Sequence, residues 1–197
     1  MKTSTLKVVI LDRDGTINED SEEFVKSPDE WIPLPGSLEA IAKLNHAGWR
    51  VVIASNQSGL GRGLFDVAAL NAIQAKMFKL LAAHGGRIDA MFYCPHAPDE
   101  GCSCRKPLPG LYQQIAERYG IDLAGVPVVG DSVRDLQAAA AVGCAPHLVL
   151  TGKSADLAGQ PLPDGFPGDT VVHASLPDFA AYLVALETAA PKPVAAV

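Results

Sequence analysis

Long apolar runs are missing from this sequence. None approaches the roughly 18 residues that a membrane-crossing helix needs. The longest near the start, Val8-Val9-Ile10-Leu11, is too short for the apolar region of a signal peptide and runs directly into charged residues. A cytoplasmic chain with no membrane partner is expected. Basic residues are also in deficit, 16 Lys and Arg against 22 Asp and Glu for a net charge of -6, whereas a surface that grips nucleic acid is normally basic. No nucleic-acid partner is expected. Cysteine is scarce, four residues in all, which leaves no disulfide framework to propose. One of the four, Cys144, follows the apolar stretch Ala141-Val142-Gly143 with no charged neighbour to activate it, and reads as an inert buried thiol.

What the chain does have is alternation. With 48% apolar residues over 197 positions it can bury one ordinary core without a staple. Short β-rich runs at 7–11, 50–54, 88–93, 126–129, 147–150 and 170–173 are separated by segments of helical period. That is the pattern of an α/β, Rossmann-like doubly wound sheet, mainly parallel and covered on both faces. Ser37 and Asp66 are expected to cap helices. Val67, Leu70, Ile73, Met77, Leu80 and Leu81 keep the spacing of a core-facing stripe. Further helices are expected at 108–119, 133–142 and 177–187, an irregular flap or short hairpin at 18–35, and a surface loop at 159–168. A single domain over 1–188 with a flexible tail at 189–197 accounts for the whole chain.

In an open parallel sheet, ligands bind beyond the carboxyl ends of the strands. Four of the expected ends carry reactive groups: Asp12 and Asp14, Ser55 and Asn56, Gly130-Asp131, and Arg105-Lys106 ahead of a helix. Carboxylates gathered in one place repel unless a cation holds them, and a hard divalent ion such as magnesium suits oxygen ligands. An aspartate can attack phosphorus directly, splitting one hard displacement into two easier ones. Asp12 is the candidate nucleophile. Lys106 is the phosphate clamp and the Ser55 hydroxyl a donor to the transferring group. Asp14, beyond a turn containing Gly15, is the candidate general acid and then base.

Cys94, His96, Cys102 and Cys104 supply three thiolates and an imidazole within eleven positions, the ligand set of a closed tetrahedral zinc site. With four protein ligands such a zinc is structural, and it pins the loop that carries Arg105 and Lys106. His46, His84, His147 and His173 are read as solvated or core residues.

Asp12-Arg13-Asp14-Gly15-Thr16 resembles the first motif of the haloacid dehalogenase superfamily, with Ser55 its second, Lys106 its third and Gly130-Asp131 with Asp135 its fourth. The resemblance implies a capless phosphatase that works through an aspartyl-phosphate. Its magnesium ligands would be the Asp12 carboxylate, the Asp14 main-chain carbonyl and Asp131. Asp135 would stand behind them or serve its helix. Combined with the cysteine cluster, the segments from Ser55-Asn56-Gln57-Ser58-Gly59 to Arg62 and Arg105-Lys106-Pro107-Leu108-Pro109-Gly110, with Thr151-Gly152-Lys153, are similar to the heptose bisphosphate 7-phosphatases. That family removes the 7-phosphate of D-glycero-D-manno-heptose 1,7-bisphosphate in making the heptose precursor of lipopolysaccharide. A small phosphorylated sugar is then the substrate, with Asn56, Arg62 and Arg105 its contacts, and the chain is expected to be a monomer. The short stretch between His96 and Cys102 is closer to the histidinol-phosphate phosphatases. Ser132 stands where both groups carry a basic side chain, and Arg134 is the candidate replacement. Two alternatives stay open: a histidinol-phosphate or broader sugar-bisphosphate phosphatase, and a non-catalytic receiver-like phospho-binding module. Asp14, two residues after the nucleophile, has no use in a receiver.

Overall fold

Alternating side chains along β1 (Val8–Leu11) divide the core in two. Val9 and Leu11 face one layer, while Val8 and Ile10 face the other, as the two-residue period of a strand requires. The computed structural model describes residues 6–189. Around β1 stand β2 (Arg50–Asn56), β3 (Ala90–Cys94), β4 (Pro127–Gly130), β5 (Ala145–Val149) and β6 (Val171–His173) in the order β3-β2-β1-β4-β5-β6, every pairing parallel. The expected mainly parallel sheet is thus wholly parallel among the described residues. Helices α1 (Ser37–His46), α3 (Val67–Ala83) and α6 (Leu176–Ala189) pack one face, and α4 (Gly110–Tyr119) with α5 (Val133–Ala140) the other. A four-residue helix, α2 (Ser58–Gly61), follows β2. The strand order reverses between β1 and β4, the switch point at which such sheets open a crevice.

Local chemistry explains where the boundaries differ from expectation. Asp66 caps α3, accepting from the Ala69 amide at 2.8 Å. Ser37 does not cap α1: Gly36 occupies that position at φ 73°, and the Ser37 hydroxyl instead donates to the buried Ile17 carbonyl at 2.7 Å. Helix α4 begins at Gly110, two residues later than expected, because a residue before proline is driven out of helical geometry and Leu108 precedes Pro109. Strand β2 runs on to Asn56 and so carries Ser55 and Asn56 on the sheet itself. The 3₁₀ turn Gly152–Leu157 has no apolar periodicity to announce it.

The segment 18–35 is an irregular flap, with the hairpin reduced to a single bridge between Asn18 and Pro33. Its anchor is Trp31, wholly buried in the core, and the Lys76 ammonium fastens its main chain at the carbonyls of Pro28 (2.6 Å) and Trp31 (2.9 Å). The tail expected at 189–197 lies outside the described residues beyond Ala189.

Candidate active site

Residues from all four reactive strand ends meet in one cavity of ≈ 230 Å³. Asp12, Asp14, Ser55, Asn56, Arg62, Arg105, Lys106 and Asp131 all line it, joined by Arg134, Asp135 and Lys153 and, on the flap, Asp20 and Phe24.

At the floor the Lys106 ammonium is withdrawn from solvent and holds three oxygens: Asp12 Oδ1 at 2.8 Å, Asp135 Oδ1 at 2.6 Å and the Ala54 carbonyl at 2.7 Å. Burial alone would strip its proton, but the two carboxylates outweigh that and raise its pKa, so it stays charged. Asn56 fixes the lysine's main chain from both sides, accepting from its amide and donating to its carbonyl, each at 3.1 Å. Although Asn56 lines the cavity, its carboxamide is engaged with the Lys106 main chain. Asp135 also completes a capping box with Ser132, whose amide and hydroxyl donate to Asp135 Oδ2 at 3.1 and 2.7 Å. Asp135 thus serves its helix and also lies beside Asp12 and Asp131.

Opposite lies Asp131, whose Oδ2 accepts from the Lys153 amide at 2.7 Å. Two glycines make room for it. A Cβ on Gly15 would fall 2.2 Å from Asp131 Oδ2, and one on Gly152 2.1 Å from the same atom, and both have positive φ. Only residues without a side chain let the loops after β1 and β5 close on this carboxylate. Thr151 ties the two loops together through a hydrogen bond to the Gly15 carbonyl at 2.5 Å.

Asp12, Asp131 and Asp135 each bring a carboxylate oxygen within 4.8 Å of the others. Burial pushes Asp12 up to about 7, with Lys106 opposing and Asp135 and Asp14 adding to the rise. Burial, Asp12 and Asp135 push Asp131 up to about 8. The cluster is short of positive charge even with Lys106 present, and all its ligands are oxygens, so these residues fit a hard divalent cation such as magnesium.

Asp14 is arranged differently. Arg13, itself 1% exposed, grips both of its carboxylate oxygens, with Nε and Nη2 at 3.0–3.1 Å. Asn18 donates to Oδ1 at 2.9 Å and Gln57 to Oδ2 at 2.8 Å. Burial works to raise the Asp14 pKa, but Arg13 and these hydrogen bonds outweigh it and hold the group ionised. Arg13 and Gln57 carried no role in the sequence. In the sequence Arg13 stands only as a member of the Asp12-Arg13-Asp14-Gly15-Thr16 motif and Gln57 only as a member of the Ser55-Asn56-Gln57-Ser58-Gly59 segment.

Arg62, Arg105 and Arg134 stand together at the mouth. The Arg105 pKa is lowered by burial first and then by the neighbouring charges of Arg134 and Arg62. Arg62 also lies over the Phe24 ring at 5.7 Å, and Lys153 pairs with Asp20, so the flap is tied to both sides of the cavity.

Cys94, His96, Cys102 and Cys104 form a separate cluster at the end of β3. Cys94 Sγ lies 3.6 Å from Cys102 Sγ and 3.5 Å from His96 Nδ1, which is 3.3 Å from Cys104 Sγ. Zinc bonds of about 2.0–2.3 Å set tetrahedral donors about 3.3–3.8 Å apart, so this cluster fits that ion. Cys144 is buried away from it.

Residues 7–140 match the family described as polynucleotide kinase 3 phosphatase, and residues 103–178 the HAD-hydrolase-like family. The chain is 66% identical over 161 residues to the D-glycero-beta-D-manno-heptose-1,7-bisphosphate 7-phosphatase of Bordetella bronchiseptica, covering 81% of this chain and 90% of that one. The corresponding protein of Pseudomonas aeruginosa is 55% identical over 80% of this chain and 89% of its own. Among solved structures, the B. bronchiseptica D,D-heptose 1,7-bisphosphate phosphatase complexed with magnesium and phosphate superposes with a TM-score of 0.87 at 60% identity, covering 93% of this chain and 100% of that one.

Proposed function

The chain belongs to the haloacid dehalogenase superfamily, in the family of the heptose bisphosphate 7-phosphatases, and from that premise we propose how its own residues release the 7-phosphate of D-glycero-D-manno-heptose 1,7-bisphosphate. The product would feed the heptose precursor of lipopolysaccharide. Residues 1–188 would act as one catalytic domain, in the cytoplasm and as a monomer. Among the described residues no helix is long and apolar enough to cross a membrane.

Asp12 attacks the 7-phosphorus, forming an acyl phosphate as the bond from phosphorus to the sugar oxygen breaks, and Asp14 gives that oxygen its proton. A water then attacks the acyl phosphate, Asp14 takes the water's proton, and Asp12 is regenerated with release of inorganic phosphate. Asp14 is ionised in the free protein, so it serves as base unaided. The charge of the arriving phosphate raises its proton affinity, so that it takes up a proton from solvent and then serves as the acid. Lys106 orients Asp12 through its 2.8 Å contact, and Ser55 donates to a phosphoryl oxygen. Asp12, Asp131 and the Asp14 main-chain carbonyl would hold magnesium, which neutralises phosphoryl charge when bound. The four-residue sulfur and imidazole cluster would hold zinc as a staple for the Arg105-Lys106 loop.

The observation that carries the substrate assignment is the distribution of charge. One end of the cavity holds the reacting acids, while Arg62, Arg105 and Arg134 stand at its mouth. A substrate with a second phosphate satisfies those guanidiniums. Histidinol phosphate would present them with an ammonium group instead. Turnover of heptose bisphosphate, histidinol phosphate and fructose bisphosphate under one set of magnesium conditions tests the assignment. The heptose substrate is expected to lead histidinol phosphate in kcat/KM by at least about 100-fold, the scale of one lost charged contact. A lead for histidinol phosphate would overturn it.

A further inference from the structure

The side chain of Gln57 spends every polar atom it has. Its Oε1 accepts from Arg13 Nη2 at 3.1 Å, and its Nε2 donates both to Asp14 Oδ2 at 2.8 Å and to Ser55 Oγ at 2.8 Å. The orientation of the amide follows from its neighbours, since a guanidinium only donates and a carboxylate only accepts. With its oxygen toward Arg13, the nitrogen must face Asp14 and Ser55.

This has a consequence for Ser55, which is 1% exposed. A serine hydroxyl has one hydrogen to give. Because Ser55 Oγ already accepts from Gln57, its hydrogen is directed elsewhere, and the cavity lined by Ser55 is where a phosphoryl oxygen would receive it. The same amide holds Asp14 beside that hydroxyl. Gln57 is itself held at 5% exposure, with its main-chain amide bonded to the Cys94 carbonyl at 2.8 Å.

We infer that Gln57 is a positioning residue, the middle of a polarised relay from Arg13 through Gln57 to Ser55, which sets the direction of the Ser55 hydrogen and fixes Asp14 against it. The inference rests on the reading that Ser55 and Asp14 face the transferring phosphoryl group. Gln57 lines the cavity too, but every polar atom of its side chain is already engaged, so the inference gives it no polar contact with substrate.

Gln57→Glu tests it, because a carboxylate of the same shape repels Asp14 and draws the Ser55 hydrogen to itself. With heptose bisphosphate, kcat is expected to fall about 100-fold, as when one oxyanion donor is lost, with KM within about threefold. Ser55→Ala should cost a similar factor. The double variant should fall no more than about tenfold below either single, since both changes remove the Ser55 donor and only the effect of Gln57→Glu on Asp14 is left to add. Independent multiplication to about 10⁴-fold, or a Gln57→Glu enzyme within about twofold of the parent, would overturn the relay. The same cycle is run on magnesium-dependent binding of orthovanadate by calorimetry, which needs no turnover. If the parent failed to hydrolyse heptose bisphosphate, the substrate reading would fall while the vanadate cycle still decided the role of Gln57. If Gln57→Glu did not fold, Gln57→Met replaces it, with an expected loss of about tenfold in both cycles because its thioether neither donates to Ser55 nor orients it. An unchanged Gln57→Met overturns the inference.

Discussion

The Lys106 ammonium lies 2.6 Å from the Asp135 carboxylate, and both side chains are almost wholly withdrawn from solvent. Such a pair is costly to break, because the surviving charge is left buried. Asp135→Asn retains the shape, but its single oxygen cannot serve both Lys106 and Ser132. Urea denaturation should show a loss of about 3–5 kcal/mol, with a fall in kcat as the lysine shifts off Asp12. Unchanged unfolding would mean the pair carries no stability.

Gly152 and Gly159 both have positive φ, but only Gly152 has the Asp131 carboxylate where a Cβ would stand, and Gly159 has nothing within 4 Å. Gly152→Ala should therefore lower activity about 100-fold, the effect of an ångström-scale displacement of a reacting group, and raise the magnesium concentration needed for half activity. Gly159→Ala should cost only about 1–2 kcal/mol of backbone strain and leave kcat unchanged. Equal activity losses would show that strain, and not the clash, is responsible.

His147 Nδ1 and His173 Nε2 meet at 3.0 Å beneath Phe179. Burial first, and then His173, hold His147 down to about 4, and burial lowers His173 as well, with Asp178 opposing. A histidine pKa lower in the folded than in the unfolded chain favours folding in its neutral form. The contribution of His147 is complete above pH 6.5 and is lost as the pH falls toward about 4, by up to about 3 kcal/mol. Melting temperatures across that window should fall less steeply for His147→Leu/His173→Leu than for the parent. Parallel curves would rule out this pair as the titrating element.

Cys102→Ser should reduce bound zinc from about one per chain, by elemental analysis, to a small fraction. Apparent stability should drop by about 3 kcal/mol or more, a part of the ~10–16 kcal/mol that structural zinc supplies in small domains. Parent-like metal content in the variant would sink the zinc assignment.

The sheet was legible because its strands are short, near-continuous apolar runs separated by segments of helical period, and the reacting acids because they stand at the ends of those runs. Asp12 and Asp131 could be found that way, and Lys106 as part of the basic pair ahead of a helix. What stayed hidden depends on contacts between distant segments. Gln57 acquires its role only when β2 lies beside the loop after β1, and Arg13 only when its guanidinium folds back on Asp14. Ser37 looked like a cap because its residue type favours capping, yet the Ile17 carbonyl, twenty residues away and already accepting from the Leu34 amide at 2.9 Å, claimed its hydroxyl. Composition cannot reveal which of two partners a hydroxyl will choose.

Among the described residues strand β3 is an edge of the sheet, hydrogen-bonded to β2 alone, and edges are where a fold opens first. Its last residue, Cys94, has its sulfur in the cysteine and histidine cluster and its carbonyl on the Gln57 amide. The exchange rate of that one amide proton with deuterated water would then act as a gauge, slow when the cluster is loaded and fast when it is stripped, reporting inside the catalytic pocket on a metal that never enters it.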